Sequence, residues 1–166
     1  TSYEQALDAL GHLPETPDTA GSAIELCHIL GYALSSLGEY SRSLTLLGEA
    51  EERARQLDDR VRLGQVLSTK TFVRMAQGDL DGALAAGHQA LELATMLDDP
   101  ALQIEASLRL GQAYFGMGDF GQAAELLRGN VEALARGAPS LVHSWEILSR
   151  AWLAWVLGVL GEFAEG

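Results

Sequence analysis

The 166 residues carry 23 acidic and 11 basic side chains, a net charge of -12, which argues against nucleic acid because a phosphate backbone is met by clustered Lys and Arg. Apolar residues make up 48% and charged residues 20%, a composition that can bury a core and is not that of a disordered chain. The single cysteine, Cys27, has no partner for an internal disulfide and points to a reducing, cytoplasmic setting, while the longest apolar stretch, Ala151 to Leu160, is too short for a membrane span of about 20 residues.

Residues 1–13 read as the second helix of a truncated helix pair, with Tyr3 to Leu10 as its apolar stretch, and Gly11 to Asp18 as a long connection. The chain opens at Thr1 without a basic and apolar leader, and it stops at Gly-Glu-Phe-Ala-Glu-Gly, where a new helix should begin. Both ends therefore look cut from a longer polypeptide. From Pro17 onward, Leu, Ala and aromatic residues recur at three- and four-residue steps, the spacing of one helical face. First helices are expected over about Pro17–Leu37, Arg60–Gln77, Pro100–Met117 and Pro139–Leu160, and second helices over about Tyr40–Leu57, Leu80–Leu97 and Phe120–Arg136. Strand signals are absent. Thr16 before Pro17 and Asp99 before Pro100 place a capping oxygen ahead of a proline whose missing N–H costs nothing in a first turn.

The turn between paired helices recurs as Gly38-Glu39-Tyr40, Gly78-Asp79-Leu80, Gly118-Asp119-Phe120 and Gly161-Glu162-Phe163, at spacings of 40, 40 and 43 residues. A fixed period in this range marks a solenoid of stacked units. The expected fold is all-α, an α-α superhelix of antiparallel hairpins with repeats at 17–59, 60–99 and 100–138 and an incomplete repeat at 139–166. Seven residues before the turn glycine stand Gly31, Thr71, Gly111 and Ala154, all small, preceded by Leu30, Lys70, Leu110 and Leu153. Five after it stand Ser43, Ala83 and Ala123, and twelve after it Ala50, Ala90 and Asn130, where small residues let helices approach. Leu47 and Leu127 fill the wider gap, and Gly87 replaces them in the middle unit. Leu57-Asp58-Asp59 and Leu97-Asp98-Asp99 close their units.

This order of Leu-Gly, a later aromatic such as Tyr114, the Gly-Asp turn, then Ala and Leu resembles the tetratricopeptide repeat. The resemblance covers nearly the whole chain. It is strongest in units one and three and weaker in unit two, where Lys70, Thr71 and Arg74 take places expected to be apolar or small. A period of 40 residues exceeds the usual one of about 34, so the helices should be about a turn longer. The run Gly11-His12-Leu13-Pro14-Glu15-Thr16-Pro17, the Leu-Asp-Asp ends and Leu148-Ser149-Arg150-Ala151-Trp152-Leu153-Ala154-Trp155 are similar to the repeat region of large bacterial proteins. Those proteins join a class III adenylate or guanylate cyclase-type domain and a P-loop ATPase module to a C-terminal array of such repeats. The resemblance implies a noncatalytic regulatory or interaction arm of a bacterial signalling protein, and no cyclase or ATPase residue lies within this chain. A peptide- or ligand-sensing arm of a transcription regulator and a freestanding scaffold are the alternatives.

Gly116 to Gly121 matches GxGxxG letter for letter, but the dinucleotide cradle needs a preceding strand, and here a helix precedes. Gly64 to Lys70 with Thr71 has the outline of a P-loop, yet Thr69 rather than glycine precedes Lys70. His12, His28, His88 and His143 are too scattered for a metal set, Cys27 reads as a small buried residue, and neither a triad nor a paired-carboxylate site is present. The acids Glu49, Glu51, Glu52, Asp58 and Asp59 alternate with Arg53, Arg55 and Arg60 as a solvated, ion-paired face. No catalytic residue, metal or cofactor is expected.

The remaining candidate is the groove lined by the first helices. Six residues before each turn glycine stand Tyr32, Phe72, Gln112 and Trp155, three before it Ser35, Met75, Phe115 and Gly158, and ten before the first one His28. Aromatic and Met side chains on a concave face suit an extended or helical peptide, a protein, or another domain of the same chain. Packing between helices is the competing role for the same side chains. With Tyr32 and His28 where Lys, Arg or Asn would grip a peptide terminus, a clamp for chaperone tails is not expected. Trp152, Trp155, Val156 and Phe163 should lose cover at the C-terminal end, which is expected to self-associate or meet a further repeat.

Overall fold

The structure, a computed structural model, describes Gln5 and residues 16–137 and 143–161. Among the described residues the helices that can be traced from end to end are α1 (Pro17–Ser36), α2 (Tyr40–Gln56), α3 (Arg60–Gln77), α4 (Leu80–Met96), α5 (Pro100–Met117), α6 (Phe120–Ala135) and α7 (His143–Leu160). Among the described residues there is no strand. The helices fall where the apolar period places them, and Leu37, Leu57, Leu97 and Arg136, expected as last residues, are the caps that follow α1, α2, α4 and α6. Of the helix expected within residues 1–13 Gln5 alone is described, and it is helical and exposed; the remainder of that helix, the start at Pro139 and Phe163 lie outside the described residues.

Local chemistry sets each boundary. Thr16 and Thr19 exchange side-chain to backbone hydrogen bonds at the start of α1. Asp59, Asp79 and Asp119 each accept the N–H three residues on, and Asp99 accepts those of Ala101 and Leu102, at 3.0 to 3.1 Å. Glu39, one methylene longer, makes no such cap and pairs with Arg42 instead. Gly38, Gly78 and Gly118 take φ of 77°, 89° and 83°, the left-handed conformation that ends a helix. Asp58 (φ 51°) and Asp98 (φ 49°) do the same without a glycine, and the N–H groups of Asp59 and Asp99 reach back to the carbonyls of Ala54 and Ala94 as Glu39 does to Leu34. The Leu-Asp-Asp segments between units are therefore the same turn as the Gly-Asp segments within them.

Every helix packs on its neighbours in sequence. In addition α1 touches α3, α3 touches α5 and α5 touches α7, whereas the backbones of α2, α4 and α6 stay apart and α2 reaches α4 through the hydrogen bond from Arg55 to Gln89. The first helices thus form one continuous inner layer and the second helices stand apart outside it, the geometry of a curved solenoid.

Within a hairpin the two backbones approach where one helix is bare. A Cβ built on Gly31 would stand 2.8 Å from Leu47 Cγ, and one on Gly111 would stand 3.1 Å from Leu127 Cγ. The middle hairpin reverses the pair: Thr71 replaces the glycine, Gly87 replaces the leucine, and a Cβ on Gly87 would meet Leu110 Cδ1 at 2.8 Å and Thr71 Cγ2 at 3.2 Å. Thr71 is fully buried, its hydroxyl donating to the Leu67 carbonyl, and Leu110 from the next unit fills the space the missing leucine leaves. Lys70, the other departure in that unit, ion-pairs with Glu51, which also receives Arg55. Burial pushes the Glu51 carboxyl up, but the hydrogen bonds from Lys70 and Arg55 outweigh it and hold it below its usual value.

In the hairpin of α1 and α2, Gly31→Ala adds about 1 kcal/mol of helix propensity but displaces Leu47 at a cost of about 1–3 kcal/mol. We expect urea unfolding to show Gly31→Ala as destabilising in the native background and as stabilising in a Leu47→Ala background, a coupling of about 1 kcal/mol or more.

Candidate functional site

The inner layer collects its distinctive side chains in three places. At the N-terminal end, His28 Nε2 lies 2.7 Å from Thr69 Oγ1, linking α1 to α3. Beside it is an open cavity of about 410 Å³, whose walls include Glu25, His28, Ile29, Asp59 and Arg62. Burial pushes the His28 imidazole below its ordinary 6.5, and the charge of Glu25 offsets part of that.

In the middle, Tyr32 and Phe72 face one another with ring centres 6.5 Å apart. Arg109 of α5 reaches between the rings of Phe72, at 4.5 Å, and Trp145 of α7, at 4.9 Å. Its Nη1 donates to Gln112 Oε1 at 3.3 Å, and Glu105, one turn earlier, accepts from Ser68 Oγ at 3.1 Å. Burial raises the Glu105 carboxyl above its usual value, with Arg109 and Ser68 offsetting part of the rise.

At the C-terminal end four rings meet. Phe115 lies 5.3 Å from Phe120, 5.4 Å from Trp152 and 5.1 Å from Trp155, and the two indoles stack at 5.0 Å. Trp155 remains 58% exposed and Tyr32 48%, so both offer large apolar faces to solvent.

The eight residues that the sequence places along the groove separate accordingly. Tyr32 and Trp155 are exposed, while His28, Phe72, Met75 and Phe115 are half-buried. Ser35 is 4% exposed with its hydroxyl donating to the Tyr32 carbonyl, and Gln112 is 5% exposed under Arg109. Val156, expected to lose cover at the C-terminal end, is instead fully buried with Leu153 and Leu157 in the cluster that contains Leu127, because that face of α7 turns toward α6. Ile147, Leu148, Val159 and Leu160 are the exposed large apolar residues of α7 beside Trp155. Sequence reasoning missed Arg109, Glu105 and Trp145. The available signal was a lone Arg between Leu108 and Leu110, nine residues before its turn glycine, where the other units carry Ile29, Thr69 and Trp152.

The catalytic motifs dissolve in context. Gly116 lies in α5, Gly118 is the cap that ends it, and Gly121 lies in α6, so no strand feeds the GxGxxG letters. Cys27 is fully buried, and burial pushes its thiol up, away from nucleophilic character. Among the described residues no three His, Cys, Asp or Glu stand together as a metal site, and no helix is long and apolar enough to cross a membrane.

This geometry defines an α-helical solenoid of tetratricopeptide-like hairpins. Among solved structures the chain is similar to the apo form of RapI, with a TM-score of 0.82 and 14% identity over 98% of this chain and 57% of that one. It is also similar to a chain described as a kinesin light chain from Podosopora anserina with nearly identical TPR-like repeats, with a TM-score of 0.70 and 19% identity over 98% of this chain and 78% of that one. The chain thus spans a little over half the length of RapI, and at these identities the likeness is one of fold. No family model and no curated protein matches.

The depressed pKa of His28 favours the neutral ring in the folded state. Its stabilising contribution is present above the ordinary 6.5 and is lost as pH falls through the lower folded value. We expect the urea midpoint of the native chain to contain a component that declines below about pH 6.5 and that His28→Gln lacks. The comparison separates it from Glu105, whose raised value acts in the opposite direction.

Proposed function

We propose that this chain is a noncatalytic protein-interaction segment whose inner layer binds a peptide or a peptide-like segment of another domain. The observation that supports this best is the run of aromatic side chains along successive first helices, from Tyr32 and Phe72 to the Phe115, Trp152 and Trp155 cluster, with Tyr32 and Trp155 about half exposed. Stacked, pre-positioned rings give large contact area at little entropic cost, as binding hot spots do. The setting we propose is a regulatory arm of a larger bacterial signalling protein of the nucleotide-cyclase type, a reading that rests on the residues that resemble such proteins. In it, occupancy of the groove would shift the array between curvatures and so bias the attached enzyme.

Panning a displayed peptide library on the chain and measuring the selected peptide by calorimetry checks the groove. Trp155→Ala should weaken binding about tenfold or more, while Met96→Ala, an exposed change on the outer helix α4, should leave it unchanged. Equal losses for both would place binding elsewhere. The setting is checked by deleting the array from the full-length protein: cyclic nucleotide output should change, and unchanged output would remove the regulatory arm.

A further inference from the structure

The first helices α1, α3 and α5 each bury one face under the second helix that follows, and α7 carries the same face uncovered. Seven residues before the turn glycine, Gly31, Thr71 and Gly111 are buried, whereas Ala154 is exposed. Fourteen before it, Ile24 and Ile104 are buried, whereas Ile147 is 67% exposed. Helical spacing sets Ile147, Ala151, Ala154 and Gly158 in one row along α7, and all four are exposed. A Cβ built on Gly158 meets nothing within 4 Å, whereas those on Gly31 and Gly111 press on a leucine of the second helix. The opposite side of α7 is buried through Leu153, Val156 and Leu157, which hold the helix in place from behind. The row thus has the small residues of a close helix approach, and among the described residues no helix lies on it.

We propose that this row is a dimer interface, occupied by α7 of a second copy of the chain lying antiparallel across it, on a two-fold axis midway between Trp152 and Leu153. The row is self-complementary about that point. Ile147, its one large residue, falls opposite Gly158 of the second copy, and Ala151 falls opposite Ala154. This is the same fit of a large side chain on a bare backbone that closes the hairpins at Leu47 on Gly31 and at Leu127 on Gly111. On one flank the exposed Leu148 falls between Trp155 and Val159 of the second copy, so apolar contact continues past the row. On the other flank Arg150 and Glu146 pair within their own helix at 3.1 Å and form a polar rim without net charge. A contact that places the same surface on both copies closes at two and does not propagate.

Sedimentation velocity of the whole chain tests this, from about 1 to 500 µM in about 0.3 M salt, where repulsion between two chains of net charge -12 is screened. We expect a concentration-dependent passage from monomer to dimer with no larger species. Ala154→Glu, beside the axis, should weaken the dimer about a hundredfold or more, while Met96→Glu, an exposed change on α4, should leave it unchanged. Gly158→Ile should weaken it about tenfold or more by overpacking, and since the added side chain has room within its own chain, that loss reports on the second copy. Adding Ile147→Ala to Gly158→Ile exchanges the two sizes, as Thr71 and Gly87 do in the middle hairpin, and should restore association. None of these variants touches Trp155, so the peptide assay and this one stay separate. A chain that is monomeric at every concentration, a dimer indifferent to Ala154→Glu, or a double variant no tighter than Gly158→Ile alone would each overturn the proposal.

Discussion

Two helix backbones can come close only where one of them carries almost nothing, and the array depends on that approach in each hairpin. Gly31 under Leu47 and Gly111 under Leu127 set the distance within the first and third hairpins. That distance fixes how far each first helix stands from the next, and so which of its side chains reach the inner layer. The middle hairpin keeps the spacing by exchanging the two sizes, Thr71 for the glycine and Gly87 for the leucine, with Leu110 of the next unit closing the remaining space. Volume is conserved across the interface although neither position is, which is how close-packed cores tolerate change.

The same unit accepts charge at places where its neighbours are apolar. Lys70 stands where Leu30 and Leu110 are buried, and Glu51 answers it from the facing helix. A matched pair of this kind is roughly neutral for stability, whereas either partner alone would be costly. Arg109 departs from that pattern one unit further on: Glu105 attracts it without a close ion pair among the described residues, while that carboxylate accepts from Ser68. Its enclosure by two rings adds cation–π attraction, about 2 kcal/mol for a desolvated pair.

Nearly all of the secondary structure was legible because its determinants are local. Left-handed glycines, aspartate caps and prolines in first turns act within four or five residues, so the chain announces each helix end in letters. The exceptions follow from the same chemistry. Asp58 and Asp98 adopt the glycine conformation without being glycine, which hid that the turns between units and within them are one motif. The groove was legible in register but not in exposure. Gln112 shares the spacing of Tyr32 and Trp155, and Ser35 that of Met75 and Phe115, yet Ser35 turns its hydroxyl to its own helix and Gln112 lies beneath Arg109.

By itself, then, the sequence determined the all-α class, the period near 40 residues, the helix boundaries and the layer to which each helix belongs, because these follow from backbone chemistry and from one repeating apolar face. Tertiary structure alone decided the partners across units. Leu110 fills the Gly87 gap from a residue 23 positions away in the chain, Ser68 takes Glu105 from two helices earlier, and Trp145 closes over Arg109 from two helices later. Those choices depend on the curvature and offset with which hairpins stack, a sum of many side-chain contacts between units that no single repeat encodes.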